Sequence, residues 1–373
     1  MLYNIIYLLL FCLIIFIVFS YNRTKLEYQD ILKESYHKQY KNLKIKKDCI
    51  FISVASYRDT ECNNTINDIF KKAKHPEKVF VGLCQQNKNS KEQCLSDVIN
   101  DKYKSQIRQK NISYLEARGP TWARYICSHL WDGEEYFMQI DSHSRFLPDW
   151  DEKVKKIYKM CPPGKNVLTH YPPSHDNYHE LIKKNTFDTA SYTCDSKFKN
   201  NFHIISKAKY VKNKTNKPFI TPYVSAGFIF SSSELLKEVP FDPYLPYLFQ
   251  GEEILLSSRF WTNGWNLYNP HEPVITHYYK REKQGHPHFW DDHKNWKKIQ
   301  NESNKRYYYL IGQYSKEDVH PEFLIYEQKY GMGKSRTLQE WFDFVGLDMK
   351  NNKIESRCNS TYDLDKKIWI KNK

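Results

Sequence analysis

The sequence predicts an α/β fold: a mixed, mostly parallel sheet with helices on both faces. Apolar runs of strand length recur in the first half of the chain, and they alternate with segments whose apolar residues have helical spacing. Each of these strand runs also ends in a cluster of polar residues. Ligands gather at the carboxyl ends of the strands in such sheets, so the polar clusters together predict one site at one sheet edge.

The elements follow one another closely from residue 49. The first predicted strand is Cys49–Ser56 and the second is Val79–Cys84, and a helix is predicted between them from Ile66, Ile69, Phe70 and Ala73. A third, shorter strand is predicted in "ISYLEARGP", and an amphipathic helix in "TWARYICSHLW". The fourth strand is "YFMQIDSHSRF", where an apolar run ends abruptly in Asp-Ser-His.

The second half is less regular. Long loops are predicted over about 160–220, followed by a strand in "SAGFIF", a helix in "GEEILLSSRFWTNGW" and a strand pair that ends at His277. The tail from about residue 300 reads as helical. We therefore expect an anchor at 1–21, a stem at 22–48, an α/β domain at 49–300 and a C-terminal helical extension at 301–373.

Composition narrows the classes of function. The 373 residues carry a formal net charge of +14, but their lysines are scattered and form no dense basic block. The pattern argues against nucleic acid as a partner. Nine cysteines form no CxxC pair and show no zinc-finger spacing; Cys84 and Cys127 are expected in the core, and one or two disulfides stay open.

The N-terminus predicts a membrane anchor. "LYNIIYLLLFCLIIFIVFSY" contains about 19 nearly uncharged residues, enough to span a bilayer. Arg23 and Lys25 after the span favour a cytoplasmic domain. Six N-x-S/T sequons favour a lumenal one in the Golgi or endoplasmic reticulum, and the sequence leaves both open: Asn22, Asn63, Asn111, Asn213, Asn301 and Asn359.

Asp141 and His143 carry the clearest chemistry. Side chains at i and i+2 of an extended segment share a face, so this Asp-x-His offers an oxygen and a nitrogen to one ligand. Such a pair suits Mn²⁺ or Mg²⁺, which in turn binds a nucleotide diphosphate leaving group. An isolated Asp-x-His is more often a surface pair, so the surrounding motifs decide between the two interpretations.

Those motifs are "IFISVASYRD", "ARGPTWARY", "MQIDSHSRFLPDWD", "SAGFIF", "GEEILLSSRFWTNGW", "PVITHYYKR" and "YGMGKSRTLQEWFDFVGLD". In this order, over roughly residues 49 to 347, they resemble the GT-A glycosyltransferases of the Skp1-type polypeptide N-acetylglucosaminyltransferase family. More distantly, they resemble the polypeptide N-acetylgalactosaminyltransferases. The resemblance implies a metal-dependent, retaining transfer of GlcNAc from UDP-GlcNAc to a protein hydroxyl.

The resemblance also implies roles for individual residues. It makes Asp141, His143 and His277 metal ligands, and it places Asp141 beside the donor ribose and phosphate. A donor-site role is predicted for Ser56, Arg58, Asp59, Arg118, Gly119 and Arg124. Glu252 and Glu253 are predicted to orient the acceptor hydroxyl or the sugar, although acidic residues in a first helical turn also complement the helix dipole.

Several alternatives accompany this interpretation. The donor sugar can be GalNAc, glucose or galactose on the same fold, the acceptor can be a protein or a glycan, and a non-catalytic carbohydrate-binding protein is the rival from another class. Trp261 and Trp265 are expected in the core rather than under a sugar. "QGHPHFWDDH" is expected to form a lid over the donor, with a zinc site as the alternative from His286, His288, Asp291 and His293.

Overall fold

A computed structural model describes residues 6–7, 9–20, 43–95, 101–177, 189–199, 204–212, 216–279 and 287–372. The strands are β1 (Lys46–Tyr57), β2 (Val79–Asn87), β3 (Ile107–Ser113), β4 (Glu134–Asp141), β5 (Ser144–Phe146), β6 (Asn166–Thr169), β7 (Thr189–Phe198), β8 (Ile204–Lys212), β9 (Phe219–Ile220), β10 (Phe228–Ser232), β11 (Asn266–Asn269), β12 (Ile275–His277), β13 (Leu347–Asp348), β14 (Lys353–Ile354), β15 (Ser360–Asp363) and β16 (Ile368–Lys371). The helices are α1 (Cys62–Lys71), α2 (Asp101–Lys104), α3 (Pro120–Ser128), α4 (Trp150–Lys159), α5 (Glu234–Glu238), α6 (Glu252–Thr262), α7 (Phe289–Asp292), α8 (Trp296–Leu310), α9 (Glu327–Tyr330) and α10 (Leu338–Val345).

Eight strands form the central sheet in the order β3-β2-β1-β4-β10-β6-β11-β9. β10 pairs antiparallel with both β4 and β6, β9 pairs antiparallel with β11, and the other pairs are parallel. The carboxyl ends of β2, β1 and β4 therefore lie side by side. The predicted mixed, mostly parallel α/β sheet is confirmed.

Both faces of the sheet are buried, because alternate residues of β1 enter different apolar clusters. Ile52 and Val54 pack with α1 and α4, whereas Phe51 packs with α3 on the other face. Successive strand residues point to opposite sides, so a strand covered on both faces reads as one continuous apolar run. Burial of this kind explains why "CIFISVAS" shows no alternation with polar residues.

Three details differ from the sequence expectations. The third strand is β3, which precedes "ISYLEARGP" for most of its length, and a 3-10 turn occupies Tyr114–Glu116. β11 and β12 do not pair with each other: β11 joins the central sheet, and β12 pairs with β5. The tail beyond residue 301 is helical only in part, since β13–β14 and β15–β16 form hairpins there.

The C-terminal segment is not a separate body. Tyr307 and Leu310 of α8 and Trp341 of α10 are buried in the same cluster as the apolar residues of β1 and β4. Trp265 is fully buried, and Trp261 stacks on Phe344 with ring centroids 4.4 Å apart. Trp265 therefore lies in the core, as expected, and the partly buried Trp261 packs against the core.

Two disulfides settle what the cysteine spacing left open. Cys62 at the start of α1 is bonded to Cys94, and Cys194 of β7 is bonded to Cys358 in the C-terminal segment. Cys84 and Cys127 are free thiols in the core, as predicted.

Most of the predicted stem, 22–48, and part of the predicted anchor, 1–21, lie outside the described residues. Residues 9–20 are helical, and their large apolar side chains are exposed. Within the part of the chain that the structure describes, no helix is both long and apolar enough to cross a bilayer.

Candidate active site

A cavity of about 790 Å³ opens where β1, β2 and β4 end, at the sheet edge that the polar clusters predict. Seven of the eleven sequence-predicted site residues line it: Gly119, Arg124, Asp141, His143, Glu252, Glu253 and His277. The other four, Ser56, Arg58, Asp59 and Arg118, lie behind or beside the lining.

Asp141, His143 and His277 come together from two parts of the chain. β4 ends at Asp141, and β12 pairs with β5 so that His277 lies opposite Ser144, one residue beyond His143. One ligand atom from each side chain lies within 4.8 Å of the other two, and the two imidazole rings have centroids 4.5 Å apart. This cluster can hold one metal ion through one oxygen and two nitrogens.

Asp59 orients one of these ligands. Its Oδ2 accepts from Ser142 Oγ at 2.6 Å and lies 2.8 Å from His143 Nδ1, and its Oδ1 accepts from the Glu61 amide at 3.0 Å. A proton on Nδ1 leaves Nε2 of His143 as the nitrogen with a lone pair. The carboxylate thus selects the tautomer that a metal requires.

Arg124 links the metal cluster to the helix start. Its Nη2 donates to Asp141 Oδ1 at 2.9 Å, and its Nη1 donates to Glu252. Asp141 Oδ2 is 3.0 Å from His277 Nε2, so both oxygens of Asp141 are engaged. Burial alone would raise the pKa of Asp141, but the hydrogen bond with His277 and the charge of Arg124 hold it far below its ordinary value.

The two glutamates of α6 have different surroundings. Glu253 accepts through Oε2 from Tyr171 and from Ser206 Oγ, and through Oε1 from the Ala226 amide at 3.0 Å. Glu252 is bonded through Oε2 only, and its buried Oε1 has no hydrogen-bond partner among the described residues. Burial raises the pKa of both carboxyl groups above the ordinary value, even though Arg124 opposes the shift at Glu252.

Arg58, which follows β1, binds a neighbouring segment and does not line the cavity. Arg58 donates to Glu92 at 3.0 Å and to both oxygens of Asp292, at 2.9 and 2.7 Å. Tyr57 OH also donates to Asp292, at 2.6 Å. These bonds attach α7, part of the predicted lid, to the end of β1.

α7 brings aromatic side chains to the cavity. His288, Phe289 and Trp290 line it, and the Trp290 ring is stacked on His288 at 4.3 Å. His286 lies outside the described residues, and among the described ones His288, Asp291 and His293 do not form a metal cluster.

Gly119 and Arg118 complete the predicted set. Gly119 has φ +85, and a Cβ there would lie 2.9 Å from the Tyr247 Cα, so this position requires glycine. Arg118 stacks on Trp122 at 4.9 Å instead of entering the cavity. Sequence reasoning missed Tyr171 and Asp292, whose neighbours in space are remote in sequence, and it assigned Tyr57 no role beyond membership of the polar cluster that ends β1.

The donor set fits a divalent cation of the Mn²⁺ type, which accepts carboxylate and imidazole ligands together. Gly227 keeps space at Asp141, because a Cβ there would come within 3.1 Å of Oδ2. A metal site also benefits from a ligand whose orientation is fixed before the metal binds, and the contact of Asp59 with His143 provides this.

A family model described as "Glycosyltransferase (GlcNAc)" matches residues 49–103 and 98–351, which is most of the chain. This chain belongs to that family. All seven of the cavity-lining residues predicted from the sequence fall inside the match, so the glycosyltransferase assignment and the cavity refer to the same domain.

Two solved structures resemble this glycosyltransferase. One is GalNAc-T7 with UDP, GalNAc and Mn²⁺, at 12% identity and a TM-score of 0.47, covering 82% of this chain and 57% of that one. The other is S. aureus TarS 1-349 in complex with UDP-GlcNAc, at 13% identity and a TM-score of 0.39, covering 61% and 57%. This chain thus spans 57% of the length of each structure. A search of curated proteins found no match.

Proposed function

We propose that this glycosyltransferase is a metal-dependent, retaining GT-A enzyme of the Skp1-type group, transferring GlcNAc from UDP-GlcNAc to a protein hydroxyl of hydroxyproline, serine or threonine. The observation that carries the proposal is the convergence of Asp141, His143 and His277 in one cavity with Arg124 and Glu252. Family membership supports the transfer chemistry, and the family's description supports GlcNAc as the sugar.

Asp141, His143 and His277 would hold Mn²⁺, or Mg²⁺, which when bound neutralises charge on the leaving diphosphate. Arg124 adds a fixed positive charge beside this group in a buried setting, where such a charge stabilises developing negative charge strongly. In the reaction, the bond from the sugar C1 to the β-phosphate oxygen breaks and a bond from C1 to the acceptor oxygen forms. The acceptor proton goes to the leaving phosphate.

Glu252 is the better candidate for orienting a substrate hydroxyl. Its Oε1 is buried in the cavity wall and accepts from no described residue, so it has a lone pair for a hydroxyl donor. Both oxygens of Glu253 already accept hydrogen bonds, which makes Glu253 a support for Tyr171 and Ser206.

The test is UDP release from UDP-GlcNAc, UDP-GalNAc, UDP-glucose and UDP-galactose, with Mn²⁺ and with a chelator. We expect release that is fastest with UDP-GlcNAc, requires metal and is lost in Asp141→Ala and His277→Ala. His271→Ala is the matched control, because this histidine lies outside the cavity. Metal-independent release that Asp141→Ala leaves unchanged would refute the mechanism, and glycan binding without turnover would favour a non-catalytic protein.

We also propose that residues 1–21 anchor the enzyme and that its catalytic domain lies in an oxidising lumen. The exposed apolar side chains of residues 9–20 support the anchor. The disulfides Cys62–Cys94 and Cys194–Cys358 support the lumen, because structural disulfides persist in oxidising compartments. Endoglycosidase treatment of protein from eukaryotic cells should reduce its mass; an unchanged mass together with reduced cysteines would place the domain in the cytoplasm.

A further inference from the structure

We propose that Gln86 reads the donor's nucleobase: its side-chain oxygen accepts the N3–H of uracil and makes the cavity select uridine over cytidine nucleotides. The inference rests on the proposed nucleotide-sugar donor, and it assigns a specific role to Gln86, which the sequence places only among the polar residues at the end of the second strand.

Gln86 has an unused acceptor in the cavity wall. The residue lies near the end of β2, lines the cavity and is 2% exposed. Its Nε2 donates to the Ser56 carbonyl at 3.0 Å. A carbonyl can only accept, so this bond fixes which end of the amide carries the oxygen. Oε1 is buried and has no hydrogen-bond partner among the described residues.

The neighbours of Gln86 suit a flat ring. Tyr57 is paired with Gln86 across β1 and β2, and its ring also lines the cavity. Asp292 fixes that ring by accepting from the hydroxyl at 2.6 Å. Ala55 and Gly119 line the same region with almost no side chain, which leaves room for a planar group beside an aromatic one.

The distance to the metal cluster suits a nucleoside diphosphate. Strand order places β1 between β2 and β4, so Gln86 and Asp141 are two strand spacings apart, about 10 Å. The register adds an offset along the strands, since Ala55 pairs with Asp141 and Tyr57 pairs with Gln86. A ribose and its first phosphate span such a separation, so a base at Gln86 puts the diphosphate beside Asp141 and Arg124.

The discrimination follows from the base edges. Uracil carries a proton on N3, whereas N3 of cytosine is an unprotonated acceptor. Gln86 Oε1 therefore pairs with uracil and faces a second acceptor in cytosine. A buried site built around one hydrogen bond rejects the ligand that cannot make it, because both polar atoms then stay unpaired.

The experiment is calorimetric titration of the full chain, with Mn²⁺, against UDP, CDP and N3-methyl-UDP. Wild type should bind UDP at least tenfold more tightly than either analogue. Gln86→Met has a side chain of similar length but no amide. It should weaken UDP binding about tenfold and bring the ratio of UDP affinity to CDP affinity close to one. Gln86→Asn moves the amide away from the base by one methylene. It should also weaken UDP binding and bring the UDP-to-CDP ratio close to one, and it replaces the methionine variant if that variant fails to fold.

Gln106→Leu is the matched control, because this amide bonds to the Pro76 and Val79 carbonyls outside the cavity. It should keep the wild-type ratio. Equal affinity of wild type for UDP and N3-methyl-UDP, or an unchanged UDP-to-CDP ratio in Gln86→Met, overturns the inference while leaving the donor proposal intact. Wild type that binds neither UDP nor CDP refutes the nucleotide donor itself.

Discussion

The Asp59 carboxylate lies 2.8 Å from Nδ1 of His143, and Asp59 is 1% exposed. The sequence predicts a donor-site role for Asp59; in the structure its Oδ2 holds the Asp-Ser-His turn, where it also accepts from Ser142 Oγ at 2.6 Å. The carboxylate that follows β1 therefore positions His143, the proposed metal ligand that follows β4.

We expect Asp59→Asn to lower Mn²⁺ affinity roughly 10- to 100-fold, the usual cost of losing a partner that orients a metal-bound histidine. Titration of the full chain with Mn²⁺ measures this without any turnover. Asp151→Asn is the control, since this equally buried aspartate accepts from the Lys74 and His75 amides away from the cavity. Equal losses of affinity in both variants would show a general effect on folding instead.

Arg124 neutralises the buried carboxylate of Glu252 and the partly buried carboxylate of Asp141, so its removal should be costly. Arg124→Met leaves Asp141 and Glu252 without their partner, and we expect a loss of roughly 3–5 kcal/mol in the free energy of unfolding. Urea denaturation measures it. Adding Glu252→Gln should recover part of the loss, because one stranded charge is then removed; strictly additive effects would contradict the pairing.

The contacts of Asp292 predict a role in excluding water. Asp292→Ala removes the bonds from Tyr57 and Arg58 that attach α7 to β1. A loosened α7 should admit water, so UDP release without acceptor should rise several-fold relative to sugar transfer. Asp318→Ala, at an exposed turn outside the cavity, should leave the ratio of hydrolysis to transfer at the wild-type value. The same ratio in Asp292→Ala would exclude this role.

Glu253 should make stability depend on pH. Burial raises its pKa in the folded state above the ordinary 4.5, against the hydrogen bonds from Ser206 and Tyr171. Between these two pKa values the Glu253 carboxyl group binds more protons in the folded chain than in the unfolded chain. Its contribution to the free energy of unfolding therefore falls as pH rises through this window and is constant above it.

Glu253→Gln should remove this dependence, so the free energy of unfolding of wild type minus that of the variant should fall as pH rises across the window. Urea denaturation from pH 4.5 to 8 measures it. Glu77→Gln is the control, because this side chain is 65% exposed. Parallel curves for wild type and Glu253→Gln would contradict the prediction.

The α/β class and much of the site could be predicted from local pattern. β4 carries Phe137, Met138 and Ile140 before Asp141, and α6 begins at the predicted Glu252, because strand and helix periodicities are properties of neighbouring residues. The resemblance of short motifs added His277, which lies 3.0 Å from Asp141. The elements that were misplaced, such as β3, have weaker patterns, since β3 lies at the sheet edge and is only partly buried.

The sequence by itself determined the α/β alternation, the polar strand ends and the Asp-x-His, because each is encoded within a few residues. Only the tertiary structure decided which partner each polar atom has. Arg58 bonds to Asp292, 234 positions away, and Cys194 to Cys358, 164 positions away. Gln86 Oε1 has no partner among the described residues, while the amide nitrogen donates to the Ser56 carbonyl. Such pairings depend on strand order and helix docking, which local periodicity does not specify.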